Sequence, residues 1–449
     1  MNDLQNILHS LRIPSEYEQF QSLAEDSDAF RALDPWRQNV QPAVAALGDL
    51  VRDPAERLDD VMLADIVFYL SPFSIAPEHD GLDLSPWTDQ SMRNIAFDIL
   101  STPQISQPTP ALIRHVLVNN LKPIFASNPH PYINTTTGRK LHRPAGGPGA
   151  THDYYDEQTW KTYPGIWSVL AWVVKNMQVS DTSFPNSYED LWPLLVPPMM
   201  TLLDDFRAQH KLEGVQIVSL MLHTIPKEIL RRTGVDQLIF TSLKTCLSHL
   251  SDPETPTLLR LTISTWLNLT LKVDEPGTFE FFDHLCTLVS NNIIESVWLS
   301  CQDNIGVMKA SLDALPDVFR ALETATISFL KSVIPQLAHI MVMQIQSSPQ
   351  TQITKDIIEL QKSAGKALLV IIEVGSSRME GWKFTILDCV AQCWVRGIDA
   401  GTGGMDSGLQ AILREIMLRL ATACPDISQD AYKALLTEDH SMFNGLVGP

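Results

Sequence analysis

Apolar residues recur at helical spacing along nearly the whole chain, and sustained alternation of apolar with polar residues is scarce. That periodicity admits helices and little else. Leu409, Ile412, Leu413, Ile416, Met417 and Leu420 form one stripe, with Arg414, Glu415 and Arg419 on the other side. Phe282, Leu285, Val289 and Ile293 form a second. A third, Leu212, Val215, Val218 and Leu222, has apolar residues on most sides and predicts a helix packed between neighbours. With 449 residues the chain exceeds what one hydrophobic core usually serves, so a stack of helices without a central core is expected. Short punctuation at Ser71-Pro72, Ser101-Thr102-Pro103, Ser251-Asp252-Pro253, Asp274-Glu275-Pro276-Gly277 and Cys424-Pro425-Asp426 implies antiparallel neighbours.

A weak internal echo refines this expectation. The run Leu194 to Asp205 leads into Lys211 to Val218, and Val333 to Leu337 leads into Lys362 to Leu369. Each joins a proline-bearing helix to one that opens on a cation and small residues, the layout of HEAT-type pairs. Gly214, Ala364 and Gly365 are placed to let adjacent helices approach. The expected fold is all-α, an α-solenoid of HEAT/armadillo-like helical pairs. It is read as one continuous solenoid with a helical region 1–126, a loop region 127–167 and a repeat region 168–449.

The loop, about 128–165, interrupts the pattern with many Pro and Gly residues. Tyr132, Tyr154, Tyr155, Trp160 and Tyr163 predict that it packs rather than floats. Two other interruptions lie at Val179 to Glu189 and Gly397 to Gly408, the second glycine-rich and expected to be flexible.

Charge and composition narrow the function classes. A net charge of -19 argues against a general affinity for nucleic acid or anionic membrane and fits a protein that binds other proteins. The N-terminus lacks a secretory pattern, and the longest apolar run, Ala367 to Ile372, is too short to span a bilayer. The six cysteines sit in apolar helical contexts, as reduced core residues of a cytosolic or nuclear protein. Cys389 and Cys393, one turn apart, read as core lining.

No catalytic array emerges. His130, His142 and His152 with Asp153 lack the close ligand pairs that zinc requires, and a surface or capping role is expected for them. The glycines from Gly146 to Gly149, preceded by Arg139, Lys140 and Arg143, lack a following Gly-Lys-Ser/Thr, and Pro148 removes an amide donor. Neither cofactor nor metal is expected. Arg231 and Arg232 before Thr233-Gly234 read as a cationic helix end, with partner binding as the alternative. Trp160, Tyr163 and Trp167 read mainly as anchors that pin the loop. The candidates for partner binding are Arg139, Lys140, Arg143, Tyr154, Trp160, Arg231 and Arg232.

Several of these residues also form a resemblance. Asn128-Pro129-His130-Pro131, Thr137-Gly138-Arg139-Lys140-Leu141, Arg143 to Pro148, Asp153-Tyr154-Tyr155, Gln158-Thr159-Trp160-Lys161 and Pro164-Gly165 resemble the signature of the Tel-two-interacting protein two (Tti-two) family. So do Leu202-Leu203-Asp204-Asp205, Lys211 to Val215 and Leu230-Arg231-Arg232-Thr233-Gly234. The resemblance implies a non-catalytic subunit of the TTT complex, with the other Tti subunit and the Tel-two protein as partners. It further implies work with Hsp90 and R2TP in maturing phosphatidylinositol-3-kinase-related kinases, in cytoplasm and nucleus. The alternatives are a helical-repeat transport or cargo receptor, or an enzyme with a site in the loop.

Overall fold

The computed structural model describes residues 2–22, 27–53, 58–74, 85–127, 129–145, 154, 158–177, 187–344, 352–399 and 405–447. The described chain is almost wholly helical, as the periodicity requires. It forms two compact units, Met1–Leu243 and Lys244–Pro449. The segment 127–167 falls in the first.

In the first unit, of α1 (Asn2–Ser10), α2 (Asp34–Arg52), α3 (Asp60–Ser74), α4 (Gln90–Leu100) and α5 (Pro110–His115), α1 packs on α2, α2 and α3 both pack on α4, and α3 also packs on α5. A two-stranded hairpin, β1 (Ile133–Asn134) and β2 (Arg139–Lys140), then precedes α6 (Ile166–Met177). The hairpin is antiparallel, pairing Ile133 with Lys140 and Asn134 with Arg139. It is followed by α7 (Ser187–Leu203), α8 (Ala208–Leu222), α9 (Lys227–Thr233) and α10 (Val235–Cys246). The α6 helix packs on both α3 and α8.

The second unit shows the solenoid arrangement directly. Here α11 (Thr255–Val273), α12 (Phe279–Thr287), α13 (Ile305–Leu322), α14 (Leu330–Met341), α15 (Gln352–Val374), α16 (Lys383–Asp399) and α17 (Ser407–Ala423) follow one another. The odd-numbered helices of this series, from α11 to α17, pack each on the next odd one as one layer, while α14 lies on α16 in the other. Two short helices, α18 (Ala431–Glu438) and α19 (His440–Val447), close the unit against α17.

Three local expectations need correction. The helix α3 runs through Ser71-Pro72 instead of stopping there: Pro72 forfeits only its own N–H and the helix ends two residues later, while its carbonyl, free of an intrahelical partner in the last turn, accepts from Trp87 Nε1 at 2.9 Å. In α12 the buried face takes Phe281 in place of Phe282, at ordinary helical spacing from Leu285, Leu288 and Val289, and after α12 the chain winds as a π-helix from Leu288 to Trp298. Gly397 belongs to α16 and Ser187 to Glu189 belong to α7, while residues 178–186 and 400–404 lie outside the described residues.

The small residues do what their positions imply, against different neighbours. A Cβ on Gly214 would lie 2.4 Å from the Leu203 backbone nitrogen, so α7 and α8 touch backbone to backbone. Gly365 instead faces the neighbouring helix of its own layer, α17, where a Cβ would meet Ile412 Cγ2 at 2.5 Å. Replacing Gly214 with Ala is expected to cost about 3 kcal/mol, since backbone cannot yield as a side-chain tip can. Thermal denaturation should show a lowered Tm, while Gly381→Ala, which meets nothing within 4 Å, should shift stability by less than about 0.5 kcal/mol.

Candidate functional site: charged groups under the signature loop

The turn Asp204 to Arg207 joins α7 to α8, and charged residues from distant parts of the first unit converge on it. Asp205 is fully buried; its Oδ1 accepts from the Arg207 backbone N–H at 2.9 Å, and its Oδ2 lies 2.6 Å from Lys161 Nζ. The Lys161 ammonium also sits over the ring of Phe206, 4.2 Å from its centre. His130 is buried, with Nδ1 accepting from the Tyr132 backbone N–H at 3.3 Å. Its Nε2 therefore carries the hydrogen and donates to Asp204 Oδ2 at 2.9 Å. His130 is thus neither a surface nor a capping residue, because its ring is spent on this turn. His142 is exposed, and His152, Asp153 and the glycines 146–149 lie outside the described residues.

One turn into α8, His210 presents both ring nitrogens to carboxylates: Nε2 to Glu18 Oε1 at 2.6 Å and Nδ1 to Glu213 Oε2 at 3.0 Å. Glu18, on a 3₁₀ turn at Ser15–Ser22, also receives Arg207 Nη1 at 2.9 Å. Burial by itself would lower the pKa of His210, but the two carboxylates outweigh it and hold the imidazolium up to about 10. Burial likewise pushes Glu213 upward, against the pull of His210. With His210 charged, two cations and two carboxylates balance, which is how an interior accepts charge.

Aromatic rings complete the enclosure. Trp160 stacks on Phe125 at 6.0 Å and meets the His210 ring edge-on at 4.7 Å. Tyr154 meets His130 edge-on at 5.4 Å. Both Tyr154 and Trp160 are under 5% exposed, so neither offers surface to a partner, and their candidacy as partner contacts is corrected to packing. The hairpin is seated by Gly138, whose φ of 64° suits glycine and where a Cβ would fall 2.7 Å from Trp192 Cδ1.

The remaining candidates lie at the surface. Arg139 and Arg143 are exposed, and Lys140 Nζ donates to Gln237 Oε1 at 2.8 Å. Arg231 and Arg232 end α9 before Gly234, whose φ of 71° makes the left-handed cap. Arg232 pairs with Glu189 at 2.7 Å, and Arg231 lies 3.8 Å from Asp236. Glu18, Arg207 and His210 were not legible as a group from sequence. Charges two positions apart in a helix apolar on most sides, Lys211 and Glu213, were the available signal.

Among the described residues, no group of three His, Cys, Asp or Glu could hold a metal ion, and no helix is long and apolar enough to cross a membrane. The described helical stack defines an all-α protein, and the charges buried around its α7–α8 turn pair with one another. Residues 76–345, more than half of the chain, match the Tti2 family, and the chain belongs to that family. The known role of the family is as a non-catalytic subunit of the TTT co-chaperone complex. No curated protein sequence matches the chain.

Removing the Glu18 carboxylate leaves Arg207 and buried His210 underpaired, so Glu18→Ala is expected to cost about 3 kcal/mol in chemical denaturation. The raised pKa of His210 fixes the sign of a pH effect: its contribution is complete below the ordinary value of 6.5 and is lost as pH rises through about 10. Burial of Glu213 acts in the same direction. The stability gap between wild type and His210→Gln should therefore narrow steadily from pH 6.5 toward 10; a gap independent of pH would rule out the charged ring.

Proposed function

We propose that this chain is a non-catalytic scaffold subunit of the TTT complex, bound to the other Tti subunit and the Tel-two protein. It works with Hsp90 and R2TP in the maturation, assembly and stability of phosphatidylinositol-3-kinase-related kinases, in the cytoplasm and nucleus. The observation that carries this reading is the Tti2 match over residues 76–345, which takes in His130, Lys161, Asp205, His210 and Glu213 of the buried turn.

The chemistry of the described residues agrees. Burial pushes the Cys389 and Cys393 thiols up to about 12, away from nucleophilic reactivity. Phe279, Leu299, Phe384 and Leu418 are large apolar residues left exposed, the kind of surface that protein partners cover.

Co-expression with the other Tti subunit, followed by size-exclusion chromatography, is expected to give one co-eluting species. Separate elution at micromolar concentration would contradict the scaffold reading. Depleting the protein from cells should lower the steady-state level of the kinases and leave their transcripts unchanged.

A further inference from the structure

One electrostatic feature is not used by the buried turn. Between Asp98 and Asp153 the sequence has no Asp or Glu, although acids outnumber bases by 52 to 33 in the whole chain. Arg114, Lys122, Arg139, Lys140 and Arg143 all fall in that interval. The fold then sets Lys140, on the hairpin that also carries Arg139 and leads to Arg143, beside a second basic pair. The Lys140 side chain runs over the junction of α9 and α10: a Cβ on Gly234 would lie 3.4 Å from Lys140 Cβ, and Lys140 Nζ reaches Gln237 at 2.8 Å. Gly234 closely follows Arg231 and Arg232, so Lys140 of the hairpin lies against the basic helix end.

The charges on this surface are not equally available. Arg232 meets Glu189, and Arg231 lies near the buried Asp236. Lys140 is held by a neutral amide, which leaves its charge uncompensated. Among the described residues, neither Arg139 nor Arg143 has an acidic partner, and both are exposed.

We propose that the surface formed by Arg139, Lys140, Arg143, Arg231 and Arg232 binds an acidic segment of a partner protein. The proposal rests on the reading of the chain as a partner-binding subunit. Guanidinium groups fork onto carboxylates, and a short acidic peptide can occupy a confined basic surface without approaching the rest of the molecule. Nucleic acid and anionic membrane extend their charge well beyond such a surface, and the net charge of -19 repels them. Attraction between exposed charges of this kind weakens as salt rises.

The test measures fluorescence anisotropy of a labelled oligoglutamate peptide with the full chain, against a labelled oligoglutamine control. Oligoglutamate is expected to bind in a salt-sensitive manner, and R139E/R143E to lose at least about tenfold in affinity. The milder R139Q/R143Q should fall between them. Both positions are exposed, so circular dichroism and Tm should match wild type, whereas reversals at Arg231 and Arg232 would also disturb Glu189 and Asp236. Equal peptide affinity in wild type and R139E/R143E would overturn the proposal, as would tighter binding of single-stranded DNA or phosphatidylserine vesicles. Size-exclusion chromatography with the other Tti subunit separates the two readings. Co-elution without charge-dependent peptide binding leaves the subunit role and removes the acidic-segment site. Peptide binding without co-elution does the reverse.

Discussion

His210 is held between Glu18 and Glu213 at hydrogen-bond distance on both ring nitrogens, and much of the first unit is arranged to permit it. A buried imidazolium needs carboxylates, and buried carboxylates need further cations; Arg207 supplies one beside Glu18. The adjacent turn repeats the pattern with Lys161 on Asp205, while His130 donates a hydrogen bond to Asp204. Apart from the His210–Glu213 pair within α8, each contact joins α8 or its preceding turn to another part of the chain. The long loop is therefore fastened by matched charge as well as by apolar packing. Such fastening contributes geometric uniqueness: an oily contact tolerates sliding, whereas a buried charge is tolerated only where its counterpart lies.

The second unit solves the same problem differently. Its layers are held by apolar surface and by isolated polar ties between helices. Ser363 Oγ donates to Asp313 Oδ1 at 2.5 Å, and Lys362 Nζ reaches Asp406 at 3.0 Å. Trp298 Nε1 donates to Ser311 Oγ at 2.9 Å. Gly365 removes the side chain that would keep α15 from α17. Layered packing of this kind distributes stability over many similar contacts, without one focus comparable to His210.

The helical class was legible because a spacing of three and four residues leaves few alternatives, and the stripe from Leu409 to Leu420 lies largely on a buried face as read. The change to a π-helix after Thr287 was not legible, since a one-residue widening leaves no compositional trace. The residues quoted for the family signature include His130, Tyr154, Trp160, Lys161, Asp204, Asp205 and Glu213, which meet around one turn. Their order along the chain was visible, but their meeting was not, because it depends on a fold that brings Glu18 and His210 together across 192 positions. Glu18 itself lies before the matched region and in sequence resembles any exposed acid of a helix end.

That separation also orders events during synthesis. At ribosomal speeds of about 5–20 residues per second, roughly ten to forty seconds pass between the making of Glu18 and of His210. Throughout that interval the N-terminal helices have no imidazolium to receive their carboxylate, and Lys161, made earlier than Asp205, has no anion. The first unit can close only after α8 has left the ribosome. Its nascent chain must remain unaggregated until then, and a fragment beginning at residue 76 would never acquire the Glu18 contact at all.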